Sequence, residues 1–72
     1  MIDEEVMGRK LVLLRGNRTQ EQVAKDLGIS QSALASYETG QRIPRDEIKV
    51  KLAKYYNRSV GFLFFNLKDH EV

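Results

Sequence analysis

Apolar residues recur every three or four positions along most of this chain, which is the period of helices packed on a shared core. The pattern predicts a first helix over residues 3–15, a fourth over 45–56 and a short fifth after Ser59, with two short helices between the first and the fourth. No segment alternates apolar and polar residues for long enough to predict a strand, and only Val60 to Phe65 leans that way. We therefore expect an all-α domain of five helices.

Each predicted helix has one face for the core. The side chains expected on these faces are Met7, Leu11, Leu14, Val23, Leu27, Leu34, Tyr37, Ile48, Leu52, Tyr56, Val60, Leu63 and Phe64. Val12 and Leu13 are surplus to the core face of the first helix, so we expect one of them to be exposed. Asp3 is placed to cap the first helix, and Thr19 with Gln22 forms a capping-box pattern at the start of the second.

The run from Thr19 to Tyr37 has the pattern of two short helices joined by a tight turn. Gly28 stands where the chain needs left-handed backbone, and Ser30 is a good cap for the helix that follows. Ala24 is small enough to let the two helices cross steeply, at roughly 90–120°. This pattern predicts a helix-turn-helix over about residues 19–38, a unit whose second helix enters the DNA major groove.

The outward face of the second helix of this unit carries the candidate base-reading side chains, Gln31, Ser32, Ala35 and Ser36. Glutamine can contact adenine with two hydrogen bonds, serine can serve several bases, and an alanine methyl can meet the methyl of thymine. A helix face shaped only by solubility more often carries lysine and glutamate. We expect this uncharged face to read bases; the alternative is a polar surface helix without a ligand.

An ordered set of segments resembles the phage-repressor and Cro-type (Xre) helix-turn-helix family over roughly residues 7–64. The matching segments are LLR at 13–15, TQEQVA at 19–24, LGIS at 27–30, YETG at 37–40, IPRDEI at 43–48 and LAKYY at 52–56. The resemblance implies a compact five-helix bundle of the lambda-repressor-like DNA-binding type. The connection between Arg15 and Thr19 departs from the family, because it is shorter than usual.

The resemblance also implies contacts with the DNA backbone at the start of the second helix and in the loop after the third. The candidates are Thr19, Gln20, Thr39, Gln41, Arg42 and Arg45. Helix starts suit phosphate because their main-chain N–H groups point outward; the alternatives are capping for Thr19 and solubility for the loop. Arg18 is a similar candidate at the shortened corner. The resemblance implies that Arg15 and Glu38 form an internal ion pair rather than contacts with DNA.

Charge is distributed unevenly along the 72 residues. The formal net charge is +2, but residues 9–58 carry +6 while both ends are acidic. A basic body of this kind is typical of a protein that faces phosphate, although a solvated charged surface is the simpler alternative. We assign residues 1–66 to the DNA-binding domain and 67–72 to a polar tail.

Composition argues against several kinds of site. The chain has no cysteine, and its one histidine, His70, lies in the predicted tail, so we expect no metal, no cofactor and no catalytic site. No apolar run is long enough to span a bilayer, and no signal peptide is visible. We expect a cytoplasmic protein, bacterial or phage-encoded and associated with the nucleoid, with no small-molecule ligand.

Two classes of function fit these patterns. The first is a small transcriptional regulator of duplex DNA, a homodimeric repressor that reads a palindromic operator; a restriction-modification controller is a variant of it. The alternative is an antitoxin or other protein-interaction module that binds a partner through the Phe-rich C-terminus. The side chains concerned are Phe62, Phe64 and Phe65. Capping of the core and a dimer interface are the other two interpretations of these side chains. An enzyme is least supported, because no set of nucleophile, base and orienting group is present.

Overall fold

A computed structural model describes residues 3–65 of the chain and shows five helices and no strand in that part. The helices are α1 (Glu4–Arg15), α2 (Gln20–Leu27), α3 (Gln31–Glu38), α4 (Asp46–Tyr56) and α5 (Val60–Phe65). The prediction of an all-α, five-helix domain is confirmed. The predicted polar tail, with His70, lies outside the described residues.

Most of the helices start at a capping side chain. Four caps accept a hydrogen bond from the main-chain N–H three residues further on, at 3.0–3.2 Å: Asp3, Thr19, Ser30 and Ser59. Each cap satisfies a donor that has no partner inside its own helix. The predicted capping box at Thr19 forms only in half: the Thr19 hydroxyl accepts from the N–H of Gln22, whereas the Gln22 side chain turns to Asp26, to whose Oδ1 its Nε2 donates at 2.8 Å.

One apolar core joins all five helices. Its buried members are Met7, Leu11, Val23, Ala24, Leu27, Leu34, Tyr37, Leu52, Ala53, Tyr56, Leu63 and Phe64. Leu14, Ile48 and Val60 pack against this core but are only partly buried. Val12 and Leu13 are both exposed, at 42% and 79%, where the sequence predicted that one of them would be. Met7 and Leu11 occupy the buried stripe of α1, and both Val12 and Leu13 lie outside it.

Two glycines bring α1 into main-chain contact with the end of α3 and the loop after it. A Cβ atom added to Gly8 would overlap the carbonyl oxygen of Glu38 and lie 2.9 Å from its carbonyl carbon. Gly40 has a φ of +79°, and a Cβ there would lie 2.9 Å from the carbonyl oxygen of Glu4. Because both neighbours are backbone atoms, a larger residue at either position would push α1 away from this loop.

The shortened connection between α1 and α2 is held by an arginine side chain. Arg18 Nη2 donates to the carbonyl of Leu14 at 2.8 Å, and Arg18 Nε donates to that of Arg15 at 3.1 Å. Its guanidinium lies over the rings of Tyr55 and Tyr56, 5.2 and 5.3 Å from their centroids. The side chain thus satisfies carbonyls that the end of α1 leaves without helical partners.

Candidate nucleic-acid interface

The turn between α2 and α3 is a tight, left-handed corner. Gly28 has φ +72° and ψ +31°, and the N–H of Ile29 donates to the carbonyl of Ala24 at 3.0 Å. Ala24 is buried beneath the turn, and Lys51 Nζ donates to the carbonyl of Leu27 at 3.3 Å. These contacts fix α3 relative to α2 and confirm the helix-turn-helix geometry that the sequence predicted.

One side of α3 is committed to the core and the other is open. Leu34 and Tyr37 point inward, with 0% and 5% exposure. Gln31 and Ser32 are exposed at the start of the helix, while Ala35 and Ser36 are partly exposed one turn further on. Within residues 3–65, the side chains of Gln31, Ser32 and Ser36 make no hydrogen bond. Their polar groups are therefore available to an external partner.

The loop after α3 folds back onto the helix. Thr39 Oγ1 donates to the carbonyl of Ala35 at 3.0 Å, so the hydroxyl proton is used inside the chain. The N–H groups of Gln41 and Arg42 donate to the carbonyl of Ser36 at 2.9 and 3.3 Å. The main chain of the loop is thereby fixed, while the side chains of Gln41 and Arg42 are exposed.

The two arginines of this region differ in how they are held. The Arg42 guanidinium lies 5.7 Å from the centroid of the Tyr37 ring, which gives it a defined direction at the end of α3. Arg45 precedes α4 without a side-chain cap, and its guanidinium is 4.0 Å from Glu47 with both side chains largely exposed. An exposed pair of this kind constrains a side chain only weakly.

The start of α2 has two roles. Thr19 is exposed and its side chain caps the helix through the N–H of Gln22. Gln20 is half-buried, and its Nε2 donates to Glu38 Oε1 at 2.8 Å. Sequence reasoning offered Gln20 only as a contact for DNA and missed this internal hydrogen bond. No sequence signal marked it, because the partners are 18 residues apart.

Arg15 and Glu38 lie together, as the resemblance implied. Arg15 Nε is 2.8 Å from Glu38 Oε2, and the two side chains are 19% and 2% exposed. The hydrogen bond to Glu38 is the main cause of a raised pKa for Arg15. Arg15 Nη1 also donates to the carbonyl of Arg18 at 2.7 Å. The carboxylate of Glu38 is therefore a buried junction between the end of α1, the start of α2 and the end of α3.

The hydroxyl of Tyr56 is buried near this junction. It has no hydrogen-bond partner among residues 3–65. Burial, followed by the negative charge of Glu38, raises the pKa of Tyr56 to about 12. Its neighbour Tyr55 differs, because the Tyr55 hydroxyl donates to Asp26 Oδ2 at 2.6 Å.

The three phenylalanines near the C-terminus do not form one surface. Phe64 is 2% exposed and belongs to the core, as its predicted place on the core face of the last helix indicated, whereas its alternative assignment to an interface was wrong. A helix of six residues presents one narrow face to the core, and Phe64 lies on it beside Leu63. Phe62 is half-buried and Phe65 is 45% exposed.

Phe62 lines a shallow groove between α1 and α5. The other lining residues are Lys10, Leu13, Leu14 and Arg58. Lys10 Nζ donates to the carbonyl of Phe62 at 2.6 Å and lies 4.4 Å from the centroid of its ring. Leu13, the most exposed apolar side chain of α1, therefore lines a groove that also has basic side chains.

Other kinds of site find no support in the described part of the chain. Among residues 3–65, no three His, Cys, Asp or Glu side chains come close enough to hold a metal ion. None of the five helices there has the length and apolar character needed to cross a bilayer.

Most of the chain matches a family of known proteins. The helix-turn-helix family model matches residues 9–63, an interval that starts within α1, ends within α5 and includes both helices of the unit as well as the Arg15–Glu38 pair. A search of curated proteins finds no match.

Proposed function

Because the chain belongs to the helix-turn-helix family of the Xre and lambda-repressor type, whose members are DNA-binding regulators and generally not enzymes, we propose that it is a homodimeric repressor of transcription in the cytoplasm. In this proposal each protomer inserts α3 into the major groove. The two half-sites of a palindromic operator then lie about one helical turn apart, roughly 10–10.5 bp.

The observation that carries the proposal is the open, uncharged start of α3. Gln31 and Ser32 are exposed there and their side chains are not engaged within the described chain. In helix-turn-helix proteins the first residues of this helix reach the base edges. Ala35 and Ser36 lie one turn further along and would contact neighbouring bases.

The segments on either side of α3 support contacts with phosphate. The first turn of α2 offers outward N–H groups at Gln20 and Glu21 that have no acceptor among residues 3–65. At the other end of α3, Arg42 is exposed and directed by the ring of Tyr37. Such contacts would set affinity and orientation without reading sequence.

The first experiment is the selection of bound sequences from a random pool of duplex DNA, at a stated salt concentration near physiological. The proposal expects an enriched palindrome. Gln31→Ala should then reduce the difference in binding free energy between operator and random DNA by about 1–3 kcal/mol, the value of a good bidentate contact. Gln22→Ala is the matched control, because it removes an exposed glutamine from α2 outside the expected interface. An unchanged ratio for Gln31→Ala would remove this residue from base reading.

Arg42→Ala tests the phosphate contacts. We expect weaker binding to operator and random DNA alike, with the slope of log affinity against log salt reduced by about one. Arg9→Ala provides the control, since Arg9 is an exposed arginine of α1 outside the candidate set. A loss confined to the operator would assign Arg42 to base reading instead.

Self-association is proposed to use the exposed apolar side chains of α1 and α5, with Leu13 and Phe65 as the most exposed members. The same surface favours a second candidate, an antitoxin-like module that covers it with a different protein. A monomeric protein that enriches no operator would support that second candidate over the repressor.

A further inference from the structure

The carboxylate of Glu38 lies where three segments of the recognition unit meet. Its Oε2 accepts from Arg15 Nε and its Oε1 from Gln20 Nε2, both at 2.8 Å. Because a carboxylate only accepts hydrogen bonds, the NH₂ group of the Gln20 amide must face it. The side chain is 2% exposed, so this junction is shielded from solvent.

A second path strengthens the same connection. Arg15, held by Glu38, donates from Nη1 to the carbonyl of Arg18 at 2.7 Å. Arg18 directly precedes the cap of α2. The corner that begins α2 is therefore attached to the end of α3 twice, once through Gln20 and once through Arg15.

The main chain of Glu38 is fixed as well. Its carbonyl packs against Gly8 of α1, and the next residues form the loop whose N–H groups, from Gln41 and Arg42, return to Ser36. The two segments proposed to contact phosphate, the start of α2 and the loop 39–42, thus share one anchoring residue.

We propose that Glu38 is a positioning residue for DNA reading, which sets the distance between the start of α2 and the loop 39–42 and so fixes how deeply α3 sits in the groove. The inference rests on the proposed DNA-binding function. Contacts with phosphate position a protein on the duplex, and base contacts form only when that position is right. Glu38 touches no base in this scheme and acts through Gln20 and Arg15.

Because Glu38 is charged, the effect of removing its charge on DNA binding has to be distinguished from the effect of losing its positioning role. Removing one acidic group near DNA should by itself leave binding unchanged or tighten it, for operator and random DNA alike. Loss of positioning should weaken operator binding more than random binding, because only the operator complex also depends on base contacts. For Glu38→Gln we therefore expect the operator-to-random affinity ratio to fall by about tenfold or more.

Glu5→Gln is the matched control, because Glu5 is an exposed acidic residue of α1 outside the proposed contacts with DNA. It removes the same charge without breaking the junction, so its ratio should stay at the wild-type value. Affinities are measured by fluorescence anisotropy at a temperature where circular dichroism shows each variant to be folded. A ratio for Glu38→Gln that matches the control would overturn the inference.

Gln20→Met keeps the inference testable if Glu38→Gln does not fold, because it leaves the Arg15–Glu38 pair intact. Loss of a simple phosphate contact at Gln20 would weaken operator and random binding equally and leave their ratio unchanged. Loss of positioning lowers the ratio. An unchanged ratio for Gln20→Met would exclude the path through Gln20. If the wild-type protein itself prefers no operator, the proposed function fails, which is a distinct outcome.

Discussion

Helix α1 meets the two sides of the molecule through opposite kinds of contact. On the recognition side, formed by α2, α3 and the loop 39–45, Gly8 lets the main chain of α1 touch the carbonyl of Glu38. On the α5 side, Lys10 reaches across to Phe62, and Leu13 stays 79% exposed. Backbone contact leaves no freedom of adjustment, whereas long side chains can repack. The recognition side therefore has a fixed geometry, whereas the α5 side has an adaptable surface.

Among the tests of this contrast, Gly8→Ala has the largest expected effect on stability. Alanine favours helix by about 1 kcal/mol over glycine, but its Cβ would overlap the carbonyl of Glu38, which cannot rotate away as a side chain could. We expect a net loss of about 3 kcal/mol or more in the free energy of unfolding, measured with urea. Arg9→Ala, on the exposed face of the same helix, should change stability by under about 0.5 kcal/mol. Equal effects of the two would mean that α1 can shift freely on the recognition side.

A second test uses alkaline pH. The folded state holds the Tyr56 proton up to a pKa of about 12, whereas an unfolded tyrosine loses it near 10. The folded state therefore binds more protons between these values, and stability should fall as pH rises through this window, by roughly 2 kcal/mol in all. The measurement is the difference in unfolding free energy between wild type and Tyr56→Phe, from pH 9 to 12. A difference that does not change with pH would show that the hydroxyl is solvated.

A third and smaller test compares neighbouring tyrosines at neutral pH. Tyr56→Phe removes a buried hydroxyl without a partner in residues 3–65 and should raise stability by about 1 kcal/mol. Tyr55→Phe removes the donor to Asp26 and should lower stability. It should also raise the pKa of Asp26 toward its ordinary value, because the hydrogen bond from Tyr55 is the main cause of the lowered pKa. Thermal unfolding gives the first comparison, and NMR titration gives the second.

The smallest effect on stability is expected on the α5 side. Leu13→Ser should change the unfolding free energy by under about 0.5 kcal/mol, because the side chain is already exposed. It should nevertheless weaken self-association, as measured by sedimentation equilibrium. Val12→Ser, at the adjacent and less exposed residue, is the variant with which the self-association of Leu13→Ser is compared. If both variants associate like wild type, the dimer surface lies elsewhere.

Local features of the fold were predictable and long-range ones were not. The helices, the caps Asp3, Thr19 and Ser30, and the left-handed Gly28 follow from spacing and from contacts within a few residues of chain. Gly8 was missed as a packing position, although a glycine inside a helix is itself a sign of close approach. The function of Arg18 in closing the short corner depends on distant tyrosines, which no local pattern reveals.

The site divides in the same way. The identity of the exposed residues of α3 followed from helical period, and the pairing of Arg15 with Glu38 followed from the family resemblance. The bond between Gln20 and Glu38 did not, because it depends on how α2 lies across α3. The assignment of individual residues to bases or phosphates stays a prediction, since it concerns DNA as much as the chain.

The placement of the aromatic side chains also determines what light can report about this molecule. The chain has no tryptophan and three tyrosines. Tyr37 lies beneath Arg42, and Tyr55 and Tyr56 meet edge to face under Arg18. No tyrosine lines the groove between α1 and α5. The tyrosine bands of near-ultraviolet dichroism and tyrosine emission are therefore native, label-free probes of the α3 loop and the short corner, and they stay largely silent about the proposed association through α5.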